Sequence, residues 1–246
     1  MAVMRSQSPA SYRIEVAADG DELARRTAET IAACIDLALA QRDRAQIALA
    51  GGGTPAAAYR LLARERLPWQ RVDVLLGDER WVAADDPSSN ALMLRQTLLA
   101  EGPGSEAHFQ PVPTDLESPE ASAAAYAALV ARTCAGDPPV FDLVLLGLGE
   151  DGHTASLFPG TPATAVTDRE ATVSEGKGLP RVTLTAPVLS AARQVLFQVS
   201  GAGKQQALRR LLDPEESPER TPARLVSPRQ PVLILADAAA AAGLGE

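Results

Sequence analysis

The chain is poor in the residues that build metal and redox centres. Its 246 residues include two cysteines, Cys34 and Cys134, and two histidines, His108 and His153. Two histidines and no CxxC pair exclude a His-rich or zinc-ribbon type of metal cage. The cysteines lie far apart, in stretches that read as helices, which predicts two reduced thiols in a cytoplasmic protein. No run approaches the roughly 18 unbroken apolar residues of a membrane helix. The first eleven residues hold one Arg and no apolar segment, so they do not read as a secretory signal. A basic excess is also missing. With 23 basic and 31 acidic residues the formal charge is −8, so neither nucleic acid nor a membrane is an expected partner. A small anionic substrate stays open, because a local cluster of cations and backbone N–H groups can outweigh the global field. No G-x-S-x-G elbow is present, which leaves a serine α/β-hydrolase without support.

What is present is a balance of 46% hydrophobic and 22% charged residues, that of a folded globular chain. Strand-like and helix-like patterns alternate from end to end. Strands are predicted at 12–16, 46–49, 72–76, 141–146, 182–185, 195–199 and 232–236. Helices are predicted at 21–41, after Pro55, and at 90–99, 120–134 and 203–212. Asp19 or Asp21 is the expected cap of the first helix, and Ser88 or Ser89 that of the third. Residues 141–146 are apolar except for Asp142, as a strand buried on both faces must be. The alternation predicts an α/β fold with a Rossmann-like, mostly parallel sheet and helices on both faces. No repeat or linker divides the chain, so one domain over 1–246 is expected, with 1–11 and 243–246 as frayed ends. Residues 213–230, rich in Pro, Glu and Arg, read as an exposed connection.

In such sheets ligands bind beyond the carboxyl ends of the strands, and the unusual residues follow strands here. Gly51-Gly52-Gly53-Thr54-Pro55 leads from a strand into a helix. Its glycines let the backbone approach a ligand, and the helix start offers free N–H groups to an anion such as phosphate. No Gly-Lys-Ser/Thr follows, so it is not a P-loop. Gly77-Asp78-Glu79-Arg80-Trp81 comes directly after 72–76. Arg80 could meet an anion there and Asp78 could orient it; the alternative is a solvated turn with an internal ion pair. The third segment is Gly147-x-Gly149-x-x-Gly152, followed by His153-Thr154-Ala155-Ser156-Leu157-Phe158-Pro159. A dinucleotide site is rejected because no long helix starts at the third glycine and His153 stands where a pyrophosphate would approach. An acid–base His153, with its tautomer held by Asp151, is the functional reading. Arg181, before 182–185, and Lys204, after Ser200-Gly201, complete the set. Lys204 would oppose the dipole of its helix unless an anion binds, although an exposed Lys is the plainer reading.

Together these blocks resemble the 6-phosphogluconolactonase family. The resemblance also draws on Trp69, Ser89-Asn90, Arg181-x-Thr183, Gly201-x-x-Lys204, Pro222-Ala223-Arg224-Leu225 and Asp237-Ala238-Ala239, and it spans about residues 12–242. It implies hydrolysis of 6-phospho-D-glucono-1,5-lactone to 6-phosphogluconate in the oxidative pentose phosphate pathway, with no metal or organic cofactor and a monomer or small homo-oligomer. It further implies catalytic roles for His153, Asp151 and Arg80. Arg181, Lys204, Gly52 and Gly53 would bind phosphate, and Thr54, Asp78 and Asn90 would position the sugar. The nearest alternative is a glucosamine-6-phosphate deaminase. That resemblance calls for Asn-Glu-Pro shortly after the His, where this chain has Ser156-Leu157-Phe158-Pro159. The other is a sugar-phosphate sensor without catalysis, for whose usual added DNA-binding helices the chain has no spare length.

Overall fold

A computed structural model describes residues 10–244. The chain runs in order through β1 (Tyr12–Ala17), α1 (Gly20–Leu39), β2 (Ala45–Leu49), α2 (Gly53–Leu62), β3 (Val72–Leu76), β4 (Asp78–Arg80), α3 (Asn90–Arg95), β5 (His108–Phe109) and α4 (Pro119–Thr133). It continues through β6 (Leu143–Gly147), β7 (Ala171–Gly176), β8 (Leu179–Leu184), α5 (Ala186–Ala191), β9 (Gln194–Val199), α6 (Gln205–Leu212), β10 (Val232–Asp237) and α7 (Ala238–Ala241).

Seven strands form one sheet in the order β1-β10-β9-β6-β2-β3-β5, every pair parallel. All five residues of β3 are buried, as are the first four of β6. Such strands need helices on both faces, and their continuous apolar runs provide the matching surface. α1 buries Leu23, Ile31, Ile35 and Ala38 at helical spacing. Its start is fixed by a reciprocal cap. The Asp19 carboxylate accepts from the Glu22 N–H at 2.9 Å, and Glu22 accepts from the Ala18 N–H at 2.7 Å. Full burial of Ile31 and Ile35 contributes roughly 1.5–3 kcal/mol each.

From β2 the chain steps through β3 to β5 in one direction; from β6 it steps through β9 and β10 in the other. The β2/β6 pair is therefore the topological switch point, where loops part and leave a crevice. A second sheet of three antiparallel strands, β4-β8-β7, stands beside it.

This second sheet corrects two expectations. Residues 77–81 are no solvated turn: Asp78 and Glu79 are buried strand residues. The strand expected at 182–185 is β8, which starts at Leu179 and pairs antiparallel with β4 and β7. The helix expected over 90–99 stops at Arg95 and turns, and Ser89 caps it, its Oγ accepting from the Leu92 N–H at 3.1 Å. The expected exposed connection 213–230 is exposed only in part. Thr221, Ala223 and Val226 are fully buried, because this stretch props the loop carrying His153: the Ala223 N–H donates to the Gly152 carbonyl at 3.0 Å. Of the expected frayed ends, 1–9 and 245–246 lie outside the described residues. Within them, the Ser11 carbonyl accepts from the Val232 N–H at 2.8 Å and the Leu244 N–H donates to Ala241 at 3.0 Å, so both are tied down. No helix of the described residues is long and apolar enough to cross a membrane.

Candidate active site

One cleft opens at the switch point. Gly52, Gly53, Thr54, Asp78, Arg80, Asn90, His153, Arg181 and Lys204 all line it, so nine of the ten residues singled out in the sequence meet there. The tenth, Asp151, stands behind the first line and bonds to His153.

The glycine loop follows β2. Gly52 is the N-cap of α2 with no side-chain acceptor, so the first N–H groups of that helix lack a side-chain cap beside the cleft. Tyr59 holds the loop from below, its hydroxyl donating to the Ala50 carbonyl at 2.7 Å. Gly51 is required for a different reason: a Cβ there would fall 1.8 Å from Asn90 Oδ1. Asn90 thus lies directly on the loop, and its Nδ2 donates to the Asp78 carbonyl at 2.8 Å. Its own backbone is fixed by buried Glu79, which accepts the N–H groups of Asn90 and Ala91 at 2.7 Å and that of Arg80 at 2.8 Å. Burial pushes the Glu79 carboxyl up even against these three donors.

The imidazole sits on a turn built by the three glycines of the third motif. His153 Nδ1 lies 2.5 Å from Asp151 Oδ1, which also accepts the His153 backbone N–H at 3.1 Å. A Cβ at Gly149 would lie 2.0 Å from Nδ1 and 2.5 Å from the carboxylate, so only glycine fits beneath the pair. Burial pushes the His153 pKa down, and Asp151 only partly restores it. Burial also raises the Asp151 carboxyl, but the His153 hydrogen bonds and the charge of Lys177 outweigh it and hold the group below its usual range. An ionised Asp151 can only accept, so Nδ1 carries the proton and Nε2 is left as the basic nitrogen. The Phe158 ring packs on the imidazole with centroids 4.3 Å apart, and the Arg181 guanidinium lies 5.3 Å over the same ring.

The cations are set by the second sheet. Arg80 and Arg181 are direct cross-strand partners in the antiparallel β4/β8 pair. Like charges so placed repel. Arg80 donates to the Ser88 carbonyl, while its buried Nε has no partner among the described residues. Arg181 donates from Nε to the Gly176 carbonyl at 3.1 Å and lies 3.7 Å from Asp78. Burial lowers the Arg181 pKa, and neighbouring Arg80 adds to that effect. Asp78 is also held by the Ser156 hydroxyl at 2.5 Å. Lys204 closes a short 3-10 turn and caps α6, rather than lying inside its first turn.

Two polar lining residues, Lys177 and Gln198, escaped the sequence reading. Lys177 stands on the two-residue tip between β7 and β8, at φ 55°, a left-handed position rare for a side chain. Its signal was the Gly176-Lys177-Gly178 hairpin tip, hidden because β7 itself was not foreseen. Ala155, within the His block, is also at positive φ. Gln198 is the penultimate residue of β9, where the apolar strand pattern draws attention away from it. No group of three or more His, Cys, Asp or Glu among the described residues is arranged to hold a metal ion.

A doubly wound α/β protein with an anion-ready cleft and a poised His–Asp pair is the class that fold and site define. The chain belongs to the glucosamine-6-phosphate isomerase/6-phosphogluconolactonase family, whose model matches residues 18–235. It is 43% identical to a 6-phosphogluconolactonase of Synechocystis over 92% of this chain and 95% of the relative. A 6-phosphogluconolactonase of Nostoc is 41% identical over 94% and 98%. Among solved structures, the 6-phosphogluconolactonase of Trypanosoma brucei superposes with a TM-score of 0.84 at 31% identity, covering 97% of this chain and 100% of that one.

Proposed function

We propose that the protein hydrolyses 6-phospho-D-glucono-1,5-lactone to 6-phosphogluconate, with His153 as general base and then general acid. The observation that carries this reading is the His153–Asp151 pair, with a free basic nitrogen, in the same cleft as two cross-strand arginines, of which Arg80 makes no ion pair among the described residues and Arg181 meets Asp78 only at 3.7 Å. The activity for which the relatives are named supports the same reaction.

The chemistry follows from the groups present. Nε2 of neutral His153 takes a proton from water as the oxygen adds to the lactone carbonyl carbon. Negative charge builds on the carbonyl oxygen, where the open N–H groups near Gly52 and Gly53, or Arg80, stabilise it. The intermediate collapses by breaking the bond from that carbon to the ring oxygen, and the imidazolium returns its proton to the departing oxygen. The product is a hydroxy acid whose carboxyl then ionises and releases one proton to solvent. Asp151 stays ionised throughout and stabilises the imidazolium. Arg181 and Lys204 hold the phosphate, while Thr54, Asp78 and Asn90 position the sugar.

The test is loss of the lactone above its spontaneous rate, followed as acid release, with 6-phosphogluconate as product. His153→Ala is expected to lower kcat/KM by about a thousandfold, within the range of general acid–base catalysis, with an unchanged far-ultraviolet spectrum. A folded His153→Ala protein as active as its parent would refute the assignment.

A further inference from the structure

The floor of the cleft holds a polar group that the reaction above does not use. Gln198, the penultimate residue of β9, is 5% exposed. Both its Nε2 and its Oε1 are buried without a hydrogen-bond partner among the described residues. Eight side-chain atoms share that condition, but Gln198 is the one residue that contributes two, and only it and Arg80 also line the cleft. A buried carboxamide left unpaired is costly and rare in native interiors, and valine or leucine would fill a central parallel strand better.

The surroundings say where the amide finds partners. In the sheet Gln198 is in register with Gly147 of β6 and Leu235 of β10. In-register residues of a parallel pair project to the same face. On that face Gly147 has no side chain, and a Cβ built there would meet nothing within 4 Å. The space beside the carboxamide is therefore part of the cleft. An amide offers N–H donors and a carbonyl acceptor side by side. A phosphate only accepts and would face the carbonyl dipole unfavourably. A hydroxyl both donates and accepts, and matches both.

We propose that Gln198 is a specificity-determining residue that binds a hydroxyl of the substrate's sugar chain, Nε2 donating to its oxygen and Oε1 accepting its proton. The inference rests on the lactonase reading for the identity of that sugar. The experiment is isothermal titration of the parent and of Gln198→Met, which keeps length and volume, with 6-phosphogluconate and with inorganic phosphate. The Kd for 6-phosphogluconate is expected to rise about tenfold, as for one unmade hydrogen-bonded pair. The Kd for phosphate stays as it was, and Tm does not fall. Equal losses for both ligands, no loss for either, or a lower kcat at unchanged affinity would overturn the assignment. If Gln198→Met does not fold, Gln198→Asn, which withdraws the amide by one methylene, is read the same way. Lactone turnover by the parent separates the two readings. An inactive parent whose Gln198→Met form still loses sugar-acid affinity selectively would end the lactonase reading and leave the hydroxyl assignment standing. An active parent matched by its variant would do the reverse.

Discussion

The two ends of the seven-stranded sheet carry similar charged residues and use them in opposite ways. At the amino ends of the strands the charges are matched. Asp73 accepts two bonds from the Arg44 guanidinium at 2.8 Å and further bonds from Gln46 and Gln110 at 3.3 and 3.2 Å. Asp142 accepts from Arg42 at 2.6 Å and from the Gln46 N–H at 2.9 Å, with Arg193 at 3.3 Å. At the carboxyl ends Arg80 faces Arg181, which meets Asp78 only at 3.7 Å, and Arg80, Lys177 and Lys204 line the cleft with no ion pair among the described residues. Paired charges around a buried strand fix register and stability. Four cations gathered at one edge with a single carboxylate pairing among them leave room for an anion that the chain itself does not supply.

That contrast predicts a division of labour between the two ends. After His153→Ala itself, the largest effect is expected from Gly149→Ala. Its methyl would lie 2.0 Å from His153 Nδ1 and must push the imidazole aside. A displacement of about 1 Å of a catalytic group costs roughly a hundredfold, so kcat should fall by about that factor while the urea midpoint stays near the parent's. Activity close to the parent's would mean that the imidazole position is not critical. The next effect belongs to the other end. Asp73→Ala leaves Arg44 and two amides without their acceptor. Because Arg44 is about a third exposed, the expected loss is about 2 kcal/mol, less than for a fully buried pair. It should appear in urea unfolding with kcat/KM unchanged. If instead Asp73→Ala reduced activity at full stability, the division between the two ends would fail.

Legibility in the sequence followed the same line. Six of the seven parallel strands were readable, the central ones because their apolar runs are continuous, while the two-residue β5 carries no such run; the first helix was readable because Asp19 and the spacing of Leu23, Ile31 and Ile35 are local signals. Nine of ten expected site residues line the cleft because loops after parallel strands must converge at one sheet edge. The second sheet was not readable. β4 is three residues long and charged, and its burial depends on a partner a hundred residues further along. Lys177 was lost with it. Gln198 was missed for the opposite reason: nothing in a strand pattern tells a buried amide with partners from one without.

The smallest effect separates the ends by proton. Burial holds the His153 pKa below the usual histidine value of about 6.5, and Asp151 opposes that shift. The unfolded chain therefore binds a proton at this site more readily than the folded one, and stability contributed here falls as pH drops below about 6.5. The basic form is lost in the same direction, so kcat/KM should decline on an acid limb whose midpoint lies below 6.5. Asp151→Asn removes the group that raises the imidazole pKa, so the limb should move to still lower pH while the maximum rate falls through loss of the tautomer. At the amino end the linkage has the same sign for a different reason, because Asp73 is favoured as the charged form and His153 as the neutral one. Burial would raise Asp73, yet the Arg44 bond and its companions hold the group below its usual range. Its stabilisation is complete above the unfolded carboxylate value of about 3.9 and disappears as pH falls through the lower folded value. Asp73→Asn should then leave the acid limb of kcat/KM where the parent has it and lower stability above about pH 4, with the difference from the parent vanishing as pH falls further. A limb that moves with Asp73→Asn and not with Asp151→Asn would assign the rate-controlling proton to the wrong end of the sheet.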